Sequence, residues 1–135
     1  MKKLTFVGLS AVIVVVCILL FWQHSKISRD RGFSQKLAGA WVWEYANVGE
    51  TYNYSDDGSY TLQEVFTFPN STNIYQFAGT WQIKDGKIIQ ISTTDSHKKA
   101  SVSHQTNSAQ IVRLDARDLI VEVATNRMEL RRITP

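Results

Sequence analysis

Disulfides are excluded at the outset, because Cys17 is the only cysteine among 135 residues and a bridge needs two. A thiolate metal centre falls with them. Proline is nearly absent: Pro69 and Pro135 are the only two, so no pyrrolidine ring interrupts residues 1–68. Charge is missing altogether from residues 4–22, LTFVGLSAVIVVVCILLFW. Carboxylates are scarce in the first quarter of the chain. Residues 1–36 hold six Lys/Arg against Asp30 alone, a balance of +5, whereas the remaining 99 residues hold nine Lys/Arg against eleven Asp/Glu, a balance of −2. The cationic excess nucleic-acid binding requires is therefore absent from the larger part, and a nucleic-acid role is excluded as an expectation.

What is present begins with that uncharged run. Nineteen residues at about 1.5 Å rise span roughly 28 Å, the thickness of a bilayer's hydrocarbon core. Lys2 and Lys3 precede it and Trp22 closes it, as interfacial residues do. The run exceeds the apolar region of a cleaved secretory signal, and no small-residue cleavage site follows it, so the expectation is an uncleaved anchor over residues 1–23. A cleaved signal and lipid attachment at Cys17 are the competing readings. Basic residues on both sides of the run nearly tie the positive-inside comparison. The short amino-terminal tail places the following part on the exported side of a single-pass membrane protein. Residues 24–36, HSKISRDRGFSQK, read as a juxtamembrane linker with at most a short helical turn before Leu37.

From residue 37 onward the period is two. Leu37, Gly39, Trp41, Trp43 and Tyr45 alternate in LAGAWVWEY, and Tyr75, Phe77, Gly79, Trp81 and Ile83 repeat the design. A glycine two places before each Trp empties one position on the face that carries the rings, so a neighbouring backbone or side chain can approach there. Asp57-Gly58 and Asp85-Gly86 are hairpin signals. Turns at Asn47-Val48-Gly49, Pro69-Asn70-Ser71, residues 115–118 and Thr125-Asn126 delimit further short strands, among them Glu50–Tyr54, Ser59–Phe68, Asn73–Lys84 and Lys87–Thr94. The polar stretch DSHKKASVSHQTNS from Asp95 to Ser108 reads as a long loop or as an edge strand around Ala100–Gln105, and the strand is the preferred choice. Eight or nine strands joined by tight turns, with no helix-period segment after the anchor, predict an all-β antiparallel up-and-down barrel, with a two-sheet sandwich as the runner-up.

The order Gly39-Ala40-Trp41, Asp57-Gly58-Ser59-Tyr60, Gly79-Thr80-Trp81-Gln82-Ile83 with Asp85-Gly86-Lys87-Ile88, then Ile111–Leu114, Leu119-Ile120-Val121 and Arg131-Arg132 resembles the small bacterial lipocalin-like domains across residues 37–135. The resemblance implies that Trp41 lies at the closed end of the barrel with an arginine of the last strand over its indole. It offers Arg131 or Arg132, and alternation favours Arg132, which shares a face with Met128 and Leu130. Gly79 and Trp81 take the matching place in the repeat. The chain departs from larger lipocalins in its length, in having no disulfide and in lacking a helix before the last strand.

Candidate interior residues are Trp43, Tyr45, Tyr60, Glu64, Phe66, Tyr75 and Phe77. They either fill a solid core or line an apolar pocket with phenols at its mouth. Glu64, between Leu62 and Phe66 on an apolar face, is either paired with Arg132 or Arg113 or serves as an interior polar anchor. His97 and His104, with Lys98 and Lys99 between them, lack the convergent donors of a metal site. No nucleophile elbow, phosphate loop or acid–base pair is present. The chain is therefore expected to bind rather than catalyse, without metal or cofactor. Its expected ligand is a small hydrophobic molecule or an envelope partner; the alternative is a structural or interaction module with a filled core, such as an envelope-complex subunit, an immunity protein or an inhibitor.

Overall fold

One helix leads without interruption into a ring of strands. In the computed structural model, which describes residues 4–95 and 105–133, α1 (Leu4–Leu37) is followed by β1 (Gly39–Tyr45), β2 (Val48–Tyr54), β3 (Ser59–Phe68), β4 (Ser71–Lys84), β5 (Lys87–Asp95), β6 (Gln105–Leu114), β7 (Asp118–Val123) and β8 (Asn126–Arg132). Each strand pairs antiparallel with its sequence neighbours, and β8 returns to β1, so the sheet is a closed barrel in chain order. Closure leaves none of these strands with a free edge. The up-and-down barrel is thus the correct choice over the sandwich. His97, Lys98, Lys99, His104 and most of the expected edge strand lie outside the described residues; its last residue, Gln105, begins β6.

Two-residue hairpins set the register. Lys84 pairs with Lys87 around Asp85 and Gly86, whose φ values of 53° and 73° are those of the tight turn the Asp-Gly signal demands. The turn after β1 differs from expectation. It is Ala46-Asn47, with Ala46 at φ 52°, so Val48 and Gly49 belong to β2, where Val48 pairs with Tyr45. Strand pairing wins because it extends the ladder by two residues.

Cross-strand partners carry the inward face around the barrel in layers. Near the base, Gly39 opposes Tyr54, Tyr54 opposes Tyr60, Tyr60 opposes Gly79, and Gly79 opposes Ser92. A Cβ on Gly39 would lie 2.5 Å from Arg132 Nη1, and one on Gly79 would lie 1.9 Å from the Ile91 carbonyl oxygen, where β5 bulges against β4. The empty positions are filled by a guanidinium in one case and by backbone in the other. The next layer holds Trp41, Tyr52, Leu62 and Phe77, and the one above holds Trp43, Glu50, Glu64 and Tyr75.

Residues 24–36 are not a linker. They continue α1, and its last turns close the base of the barrel. Leu37 is fully buried, and Phe33 packs against the same core. Asp30 accepts hydrogen bonds from the backbone N–H groups of Asp85 (2.8 Å) and Gly86 (2.9 Å), and Lys26 Nζ lies 3.2 Å from Asp85 Oδ1. The carbonyls at the helix end are satisfied by the barrel: Trp41 Nε1 donates to Leu37 O at 2.7 Å, Arg132 Nη1 to Ala38 O at 2.8 Å, and Arg132 Nη2 to Lys36 O. These are the orphan acceptors every helix leaves at its carboxyl end. A cation beside them also suits the helix dipole.

Val12 to Trp22 are exposed, Phe21 at 75% and Trp22 at 58%, and the helix is long and apolar enough to cross a membrane.

Candidate functional site

Among the described residues the barrel interior is filled below and hollow above. At the base, Trp41 and Trp81 are buried with Leu37, Tyr54 and Tyr60. The Arg132 guanidinium lies 4.4 Å above the Trp41 ring, and Trp81 meets Tyr54 edge-on at 5.3 Å. Each indole N–H has a carbonyl acceptor, Leu37 O for Trp41 and Ser55 O for Trp81. That satisfaction allows such large polar-tipped rings to sit deep in a core.

Over this floor lies a cavity of about 270 Å³. Ile88, Leu119, Val121 and Leu130 are part of its apolar wall; Tyr52 and Tyr54 bring phenols into it, and Glu50, Glu64, Gln90, Asn107 and Ser108 add further polar groups. The volume sits at the lower edge of the range for small-molecule pockets.

Polar groups are held in place by each other. Tyr52 donates to Glu50 Oε2 at 2.5 Å, Gln90 Nε2 donates to the Tyr54 hydroxyl at 2.7 Å, and Tyr60 and Ser92 share a hydroxyl–hydroxyl bond of 2.7 Å beneath. Burial raises the Glu50 carboxyl above its usual 4.5, and the Tyr52 hydrogen bond opposes that shift. Burial also drives the Tyr52 and Tyr54 phenols upward, so both keep their protons. Glu50 and Glu64 are directly opposite on β2 and β3, both inward. Like charges in that relation repel. Arg132 and Arg113, the partners weighed for Glu64, are committed elsewhere: Arg132 to Trp41 and the helix end, Arg113 to Asp115 at 2.6 Å.

The raised Glu50 carboxyl gives a signed prediction. Folded Glu50 holds its proton more tightly than the unfolded chain does. Unfolding therefore releases a proton between the usual 4.5 and the raised value, and stability falls as pH rises through that window. Glu50→Gln keeps an acceptor for Tyr52 and removes the charge. Thermal unfolding from about pH 4 to about pH 8 should show a higher midpoint than wild type at the neutral end, with a flatter pH profile for the variant.

The sequence candidates divide. Glu64 lines the cavity. Tyr60 is buried below it, and Trp43, Phe66, Tyr75 and Phe77 are half-buried on the inward face without lining it. Phe66 and Tyr75 pack edge to face at 5.7 Å. Tyr45 is a correction: it is 70% exposed, stacked on Trp43 at the end of β1 where the wall stops, and is no interior residue. Sequence reasoning overlooked Glu50, Tyr52, Tyr54 and Gln90. The alternation Glu50, Tyr52, Tyr54 was visible in β2, but a short polar strand gives no sign of which face turns inward until it is paired with β1.

Among the described residues no three His, Cys, Asp or Glu side chains are grouped to hold a metal. A scan against protein-family models, a search of curated proteins and a search of solved structures each found no match.

Proposed function

We propose that this protein is a membrane-tethered, lipocalin-like binding protein for a small hydrophobic molecule, non-enzymatic, with its barrel on the exported side of the membrane. The cavity over the aromatic floor carries this reading: an apolar wall with a few oriented polar groups suits recognition of a compact, mostly apolar ligand. No nucleophile–base pair is assembled in the described interior that would argue for covalent chemistry. Glu50 and Glu64 select the ligand's polar end. A third carboxylate beside them would be buried among like charges, so a neutral or amine-bearing molecule is favoured over a fatty acid.

The packed lower half of the barrel favours a second reading, a solid-cored interaction module whose partner binds outside. A soluble fragment of residues 24–135, which retains the helical segment that closes the base, separates the two. Titration with the neutral fluorescent probe N-phenyl-1-naphthylamine should show saturable binding. Ala109→Phe, which projects a ring into the cavity from its wall, should reduce that binding at least tenfold, about 1.4 kcal/mol. A folded fragment that fails to bind the probe would assign the protein to the second reading.

A further inference from the structure

The way α1 meets the barrel dictates how the barrel lies on a membrane. Lys26 and Asp30 touch the β4–β5 hairpin, whereas Lys36, Leu37 and Ala38 are held by Arg132 of β8 and Trp41 of β1. In a ring of eight strands in sequential order, the β4–β5 and β8–β1 seams are on opposite sides. A proline-free helix that reaches both crosses the base from side to side, so its axis runs roughly at right angles to the barrel axis. A membrane-crossing helix stands near the bilayer normal, tilted on average about 20°. The barrel therefore lies on its side, with the β4–β5 seam nearest the bilayer and β8–β1 farthest from it.

The height also follows. Lys26 and Asp30 are four and eight residues beyond Trp22, about 6 and 12 Å along the helix. The headgroup layer occupies about 5 to 8 Å outside the hydrocarbon. The hairpin tip is thus at the headgroup boundary, and its paired, exposed Lys84 and Lys87 are within reach of phosphates. Asp85 between them is tied to Lys26. From the tip, the outward positions of β4 and β5 are Ile74, Thr80, Gln82, Ile89 and Ile91 with other uncharged residues, and no carboxylate among the described ones. The outer wall of β7 and β8, by contrast, carries Asp118, Glu122, Arg127, Glu129 and Arg131.

We propose that the outer wall of β4 and β5, tipped by Lys84 and Lys87, is a docking surface for the anionic phospholipid surface of the bilayer that α1 crosses. The cavity mouth then opens along the membrane plane rather than away from it. This inference rests on reading α1 as a membrane span.

The test uses the full chain with Cys17→Ser, reconstituted in nanodiscs of zwitterionic and anionic phospholipid with headgroup-nitroxide lipid as quencher. A fluorophore is placed at Gln82→Cys on β4 or at Glu122→Cys on β7. Quenching several-fold stronger at position 82 than at 122, weakened at least twofold when Lys84 and Lys87 are both changed to Glu or when the anionic lipid is omitted, supports the docking surface. Equal quenching at both positions, stronger quenching at 122, or a preference at 82 that ignores both charge changes overturns it. Alkaline carbonate extraction of the same chain from membranes reports separately on the span. Release into the supernatant would remove the foundation, whereas retention with equal quenching removes only the docking wall.

Discussion

A fragment beginning at residue 39 should fail to form a stable barrel, while one beginning at residue 24 should fold. The shorter chain loses Leu37 from full burial and Phe33 from the edge of the core, which together stabilise by about 3 kcal/mol. It also strips acceptors from the buried Trp41 indole and from the half-buried Arg132 guanidinium. Trp41 Nε1 loses Leu37 O, and the Arg132 guanidinium loses Lys36 O and Ala38 O. Its Nε is already buried without an acceptor among the described residues, so little else is at hand to take up the charge. Orphaned buried donors of this kind cost about 1 to 3 kcal/mol each, and more when charged. The sum is of the order of 6 kcal/mol, comparable with the total stability of about 5 to 15 kcal/mol expected of a small domain. Urea unfolding of the two fragments followed by tryptophan fluorescence decides the matter. Matching midpoints would show that the base closes without the helix.

Gly79→Ala should lower stability by roughly 3 kcal/mol, far beyond the usual cost of a surface glycine-to-alanine change in a strand. The added Cβ would meet the Ile91 carbonyl oxygen at 1.9 Å and the Ile91 carbonyl carbon at 2.9 Å, both backbone atoms of the neighbouring strand. Neither can rotate away. Relief requires β5 to shift off β4 at the bulge, which also disturbs Ser92 and its bond to the Tyr60 hydroxyl. Gly49→Ala is the control, because nothing lies within 4 Å of a Cβ at that position. A thermal-shift measurement in which the two alanines behave alike would contradict the close approach of the two backbones.

The antiparallel strands and the closed topology were legible because the chain writes its alternation and its reversals locally, although the first turn and the start of β6 were not. Alternation in LAGAWVWEY and in the Tyr75–Ile83 stretch names a face, and two Asp-Gly hairpins name two reversals. The polar segment before β1 was misread for an equally physical reason. HSKISRDRGFSQK carries no apolar stripe wide enough to announce a buried helix face, since only Phe33 and the following Leu37 enter the core, and Asp30 acts through hydrogen bonds to a hairpin 55 residues away. Tyr45 was placed inside because it continues an inward series, yet the wall ends before it does.

The sequence by itself determined an uncharged helix long enough for a bilayer, a two-residue period after it, glycines where something had to come close, and turns short enough to join neighbours. These are properties of adjacent residues, and local sterics and hydrophobicity decide them. Only the tertiary structure decided that Glu50 and Glu64 face each other over an aromatic floor, and that the segment 24–36 is a helical bar bolted across the barrel by Arg132, Trp41 and Asp30. Both depend on which strand lies beside which once the ring has closed, a choice no short stretch of chain contains.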